Sequence, residues 1–104
     1  MARGDPAMFE VAFTESALED LQYLKKRDQN TLLNAIEQQL TTEPLTQTRN
    51  RKPLRANDLS AWEVRVGSQR VFYDVDETNK KVAIKAVGWK EHNKLFIRGK
   101  EYTL

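Results

Sequence analysis

The sequence predicts a small α+β domain, and two patterns predict it. From Trp62 to Ala86 apolar and polar residues alternate in three successive runs, the period of strands that bury one face. From Ala17 to Leu40 the apolar residues recur every three or four positions, the spacing of helices packed on one side. The expected architecture is a first strand, an antiparallel helix hairpin on one face of the sheet, a three-stranded antiparallel meander and a short C-terminal segment.

Residues 1–7 (MARGDPA) have no apolar stretch of the signal-peptide kind and read as a loose, disordered leader or an expression remnant, with Met8 as a candidate start. Residues 8–104 form the single domain. Phe9, Val11 and Phe13 alternate with Glu10 and Ala12, which predicts the first strand. Thr14 or Ser16 then starts a helix; Ser16 followed by Glu19 fits a capping box, and Ala17, Leu18, Leu21 and Leu24 keep one face apolar. Its basic end, Lys25 to Arg27, suits the negative end of the helix dipole. Asp28 caps a second helix carrying Leu32, Leu33, Ile36 and Leu40, which Pro44 ends at about Glu43.

The pattern stops from Pro44 to Ala61, where Arg49, Arg51, Lys52 and Arg55 crowd around Pro53. Leu54 and Leu59 should pin this basic loop to the core. In the meander, Trp62, Val64 and Val66, then Val71, Tyr73 and Val75, then Val82, Ile84 and Ala86 form the core face, with turns at Gly67-Ser68 and at residues 77–80. Arg65, Arg70 and Lys85 are left on the open face, a seat for a polyanion. Gly88 closes the third strand, and Leu95 to Ile97 make a short strand or docked segment.

Charge is unevenly divided. Acids outnumber bases eight to four through Thr48, and bases outnumber acids thirteen to seven from Arg49 on, so the strand-bearing half is the basic one. With no cysteine there is no disulfide framework, and no apolar run approaches the roughly 20 residues of a membrane span. A cytoplasmic protein without a membrane role is expected. There is no P-loop, GxGxxG, HExxH or Gly-x-Ser-x-Gly, and one histidine without cysteine makes no ordinary zinc site, so neither cofactor nor metal is expected. What remains is a set of cations beside His92, the one side chain whose ordinary titration falls near neutrality. Cleavage of RNA through its own 2′-hydroxyl needs such a set: cations for the phosphate charge and a group that moves protons.

The order of elements, and above all the runs WEVRVGSQRVFYDVD and VAIKAVGWKEHNKLF, resembles the RelE/ParE superfamily of toxins from bacterial and archaeal type II toxin–antitoxin pairs. The resemblance covers nearly everything after Met8. It implies an antitoxin partner and one of two targets: the RelE branch enters the ribosome and cuts mRNA, an endoribonuclease that inhibits translation, while the ParE branch poisons DNA gyrase. By resemblance to the RelE branch, Arg70 holds the scissile phosphate, Arg65 stands at a strand position that is often basic, and Lys90 replaces a phosphate-binding arginine. His92 resembles a catalytic histidine, and Phe96 occupies the place of a tyrosine or phenylalanine that acts in other members. Arg49, Arg51, Lys52, Arg55, Lys85 and Lys94 are the expected RNA-binding cations. Glu63 departs from the pattern, since the most basic members carry lysine there. A nuclease is the leading expectation; a gyrase poison and a catalytically silent antitoxin-binding module are the alternatives.

Overall fold

The computed structural model describes residues 8–104, so the expected leader lies outside the described residues. Strand β1 (Glu10–Phe13) leads into helices α1 (Glu15–Leu21) and α2 (Lys26–Leu40). Six strands follow: β2 (Arg51–Pro53), β3 (Trp62–Val66), β4 (Gln69–Asp76), β5 (Lys81–Glu91), β6 (Lys94–Ile97) and β7 (Lys100–Tyr102). They lie side by side in that order, each antiparallel to the next, while β1 runs parallel to the first part of β5. The α+β architecture and the β3-β4-β5 meander are as expected. The C-terminal segment is richer than expected, forming two strands, and the basic loop contributes β2.

Strand β5 is the hub. β4 covers one of its edges; the other is divided between β1, which pairs with residues 81–84, and β6, which pairs with residues 89–91. The main-chain groups between them have no strand to bond, and α1 supplies the partners. Thr14 N–H donates to the Ile84 carbonyl at 3.0 Å, and Val87 N–H donates to Asp20 Oδ2 at 3.1 Å. Asp20 is fully buried there and pairs with Arg98 Nε at 2.7 Å. Burial holds its carboxyl above the ordinary aspartate pKa, against the Val87 hydrogen bond and the Arg98 charge.

Several local expectations give way to this arrangement. Thr14, rather than Ser16, caps α1, its Oγ1 accepting from Ala17 N–H at 3.1 Å. Ser16 and Glu19 do not form the capping box, because both accept from the Arg98 guanidinium, at 3.0 and 2.8 Å. α1 stops at Leu21, where three successive N–H groups turn to carbonyls three residues back and tighten the chain. Lys26 and Arg27 therefore open α2, at the end of the dipole that disfavours them, and Lys25 is an N-cap without a side-chain bond. Asp28 lies in the first turn instead of capping it. α2 ends at Leu40, short of Glu43, since Arg51 Nη1 takes the Gln39 and Glu43 carbonyls, both at 2.7 Å. Leu18 and Leu33, assigned to apolar faces, are exposed.

Both faces of the sheet carry apolar clusters. Under the helices Leu21, Leu32, Ile36 and Leu40 pack on Val64, Val71, Tyr73, Val82, Ile84 and Val87. Trp62 stacks on Tyr73 with ring centroids 6.2 Å apart, and the Tyr73 hydroxyl donates to the Pro44 carbonyl at 2.7 Å. On the other face Phe72, Ala86 and Leu95 are buried beneath Leu54, Leu59, Ile97 and Tyr102. The expected pinning of the basic loop by Leu54 and Leu59 is thus present. Ala86 changes face because the β4–β5 register slips between Phe72 and Tyr73, leaving Lys85 as the extra residue of a bulge.

β5 also continues through Gly88, which does not close it. A methyl built at Gly88 would collide with the Phe96 carbonyl oxygen and lie 3.0 Å from Ile97 Cγ1, so the missing side chain is what admits β6.

Candidate functional site

Opposite the helices, the end of the sheet beyond Phe72 carries the cations. Residues that face one another across antiparallel strands share a side, which groups Lys52 with Glu63 across β2–β3 and Arg65 with Arg70 across β3–β4. Arg70 in turn faces Gly88 on β5, and Lys90 lies two residues further along on that side, facing Leu95. Four adjacent strands therefore contribute Lys52, Arg65, Arg70 and Lys90 to one surface. The arrangement follows from the pleat and from the hairpin turn: Gly67, at φ 61°, fixes the register that sets the two arginines opposite each other.

Two like charges directly across a strand pair repel, and the structure eases this only in part. The Arg70 guanidinium folds back onto the turn, where Nη1 donates to the carbonyls of Gly67 and Gln69, both at 2.9 Å. Its partial burial pulls the pKa below the ordinary arginine value; the Glu63 charge opposes that shift and the Arg65 charge adds to it. Among the described residues no acid lies within ion-pair distance of Arg65, Arg70, Lys52 or Lys90. An approaching phosphate thus finds donors that are not already neutralised.

The other sequence-predicted residues are distributed elsewhere. Arg51 faces the helices, is 7% exposed and caps α2, so it does not belong to an RNA-contacting surface. Arg49 is exposed beside Arg65, whose N–H donates to the Asn50 carbonyl at 2.7 Å. Lys85 and Arg55 line a separate cleft of about 370 Å³ under the 54–61 loop, away from Arg70. Lys94 forms an exposed pair with Glu101 at 3.9 Å. Phe96 points to the helix side, stacked on Trp89 with centroids 6.1 Å apart, so the sheet separates it from the arginines.

His92 is exposed at the tip of the β5–β6 hairpin, where it and Asn93 hold φ values of 53° and 67°. Both positions of a two-residue type I′ turn require this conformation. The turn fixes its backbone only two residues beyond Lys90. Two residues with structural parts, Asp20 and Arg98, were not singled out for them by sequence. The signal was present for Asp20, an acid within the apolar stripe of Ala17, Leu21 and Leu24.

Among the described residues no helix is long and apolar enough to cross a membrane, and no cluster of three or more His, Asp or Glu is placed to hold a metal ion.

This helix pair packed on a seven-stranded sheet is found in solved toxin–antitoxin complexes. The chain is similar to the structure of the RelBE2 toxin–antitoxin complex from Mycobacterium tuberculosis, with a TM-score of 0.72 and 29% identity over 83% of this chain and 95% of that one. It also shares its fold with the archaeal RelE–RelB complex from Pyrococcus horikoshii OT3, at a TM-score of 0.67 and 23% identity over 82% of this chain and 98% of that one. A comparison with curated protein sequences gave no match. Taken with the family match that follows, these likenesses define the class, a RelE/ParE-superfamily toxin of the type II systems. Residues 11–93 match the model of the ParE toxin of the type II toxin–antitoxin system parDE, and the chain belongs to that family.

Proposed function

We propose that the chain is a ribosome-dependent mRNA endonuclease that inhibits translation and is held silent by a cognate antitoxin protein. The observation that carries this is the unneutralised pair Arg65 and Arg70 on the side of the sheet opposite the helices, with Lys90 one row beyond. Such a surface grips one phosphate from two sides and stabilises the charge that grows on its oxygens. No metal or cofactor enters the reaction: the nucleophile is the RNA's own 2′-hydroxyl. His92 moves a proton at the rim, and Lys52 and Arg49 extend the track along the message. A protein acting on translating ribosomes works in the cytoplasm. The antitoxin is expected to bring acidic side chains to the exposed loop cations Arg49, Lys52 and Arg55.

The ParE family match supports a second target, DNA gyrase. A gyrase poison acts by binding and needs no proton-moving residue, so His92 discriminates. Single-turnover cleavage of a ribosome-bound message is the test. Wild type should cleave, and His92→Ala should lose on the order of 10²–10⁴ in rate with ribosome binding kept. Equal rates would remove His92 from the chemistry. No cleavage by wild type, together with inhibited supercoiling, would replace the nuclease with the gyrase poison; neither activity beside tight antitoxin binding would leave the silent module.

A further inference from the structure

Beyond Arg70 the cationic surface runs into a groove. Lys90 N–H donates to the Ser68 carbonyl at 2.8 Å, on the same turn that holds the Arg70 guanidinium, so Lys90 stands next to Arg70. From Lys90 the cross-strand register passes to Leu95 on β6 and on to Tyr102 on β7, which sets the three residues in one row on the side opposite the helices. Neighbouring strands lie about 5 Å apart, so the row leads from a cation to an aromatic ring within about 10 Å, the reach of a single nucleotide. Lys90, Asn93, Leu95, Tyr102 and Leu104 line a cleft of about 310 Å³ along it. Its floor is apolar: Leu95 is buried, and Tyr102 packs on the Phe72 cluster while staying partly exposed. Its rim carries a carboxamide. Asn93 is exposed at the tip of the β5–β6 hairpin with φ 67°, a turn position that glycine also fills, so the turn itself does not require the side chain.

We propose that this cleft is a nucleobase subsite that selects adenine in a nucleotide flanking the cleaved bond, an inference that rests on the nuclease function proposed above. Single-stranded RNA is recognised by splaying a base out, stacking it on an aromatic ring and hydrogen-bonding its edge. Each part has a residue here: Lys90 holds the phosphate, Leu95 and Tyr102 offer the apolar surface and the ring, and Asn93 reads the edge. A carboxamide presents a donor and an acceptor side by side, which complement N7 and the N6 amino group of adenine. Guanine sets two acceptors, N7 and O6, in the same place and leaves the carboxamide oxygen facing O6. Cytosine and uracil lack the second ring that carries N7.

The test is single-turnover cleavage of four ribosome-bound messages that differ only in one base, varied in turn on the 5′ and 3′ sides of the cleaved bond, by wild type, Asn93→Gly and Tyr102→Leu, with circular dichroism measured alongside. Wild type should cleave the adenine message about tenfold or more faster than the others. Asn93→Gly, which suits the turn, should cleave all four at one rate, and Tyr102→Leu, which keeps the apolar packing but removes the ring, should slow all four alike. Equal wild-type rates on the four messages, an adenine preference that survives Asn93→Gly, or undiminished cleavage by Tyr102→Leu would overturn the subsite and leave the nuclease standing. Absence of wild-type cleavage on every message removes the nuclease instead, and binding then decides the subsite. In an NMR titration with single-stranded 2′-deoxy tetranucleotides, adenine-dependent shifts of the Asn93 side-chain amide and the Tyr102 ring would support it, and their absence would overturn it.

Discussion

Replacing Asp20 by alanine should destabilise the protein far more than a surface substitution, because one carboxylate joins three elements. Its Oδ2 accepts from Val87 N–H in the gap between β1 and β6, and its Oδ1 meets Arg98 at 2.7 Å. Leaving a buried N–H unbonded costs about 1–3 kcal/mol. Arg98 adds little beyond this, roughly 0–1 kcal/mol, since it is partly exposed and keeps Glu19 and Ser16. The expected loss is about 1–4 kcal/mol, which urea denaturation followed by circular dichroism reads as a midpoint lower by roughly 0.5–2 M.

Asp20→Asn retains an acceptor for Val87 and should cost less. It should also change the pH dependence. The folded-state pKa of Asp20 lies above the unfolded value near 3.8, so the native state holds the proton more tightly. The stability it contributes is full below that value and is lost as pH rises through the folded pKa. Asp76, whose hydrogen bonds from Asn79 lower its pKa, acts in the opposite sense, adding stability above 3.8 that is lost on acidification. Wild type should therefore lose its advantage over Asp20→Asn as pH rises above about 3.8 and through the raised folded-state pKa. An Asp20→Ala variant within about 0.5 kcal/mol of wild type, or parallel pH curves for wild type and Asp20→Asn, would refute this role of Asp20.

Two further substitutions test the frame. Gly88→Ala should cost about 1–3 kcal/mol as β6 is pushed off β5, visible as a lower melting temperature and faster amide exchange at Leu95 and Phe96. Lys25→Ser should stabilise the fold by about 1 kcal/mol, by giving α2 the side-chain cap it lacks and removing a cation from its positive end; an unchanged or lower melting temperature would contradict the capping analysis.

The strands were legible in the sequence because each alternation extends over five or more residues and the turns carry their own residues, Gly67-Ser68 and Glu77 to Lys80. The bulge was less so. Lys81 to Ala86 alternates smoothly, and only the adjacent apolar pair Ala86 and Val87 hints that the face changes. The break between the helices was expected at Lys25 to Asp28, and its earlier position at Leu21 has no local mark, since the run from Leu21 to Gln29 contains neither glycine nor proline. It is imposed by packing, with Asp20 docked on β5 and Arg98 gathering Ser16 and Glu19. Arg51 looked like its basic neighbours because only the β2–β3 register shows that alternate residues of that short strand point under the helices. At the candidate site, pairing of Arg65 with Arg70 was readable from a two-residue turn. The placement of Phe96 was not, since it depends on how far β5 runs past Gly88.

The central claim is that the side of the sheet opposite the helices is the working surface, and Arg70 tests it most directly. Growth arrest on induction and cleavage of a ribosome-bound message would be compared for wild type, Arg70→Ala and Lys81→Ala, a control whose exposed pair with Glu10 at 3.7 Å lies at the far end of β5. Removing either exposed or half-exposed cation should shift stability by about 0.5 kcal/mol or less. The predicted result is a folded Arg70→Ala protein that neither arrests growth nor cleaves, beside a fully active Lys81→Ala. Arrest and cleavage undiminished in folded Arg70→Ala would contradict the account.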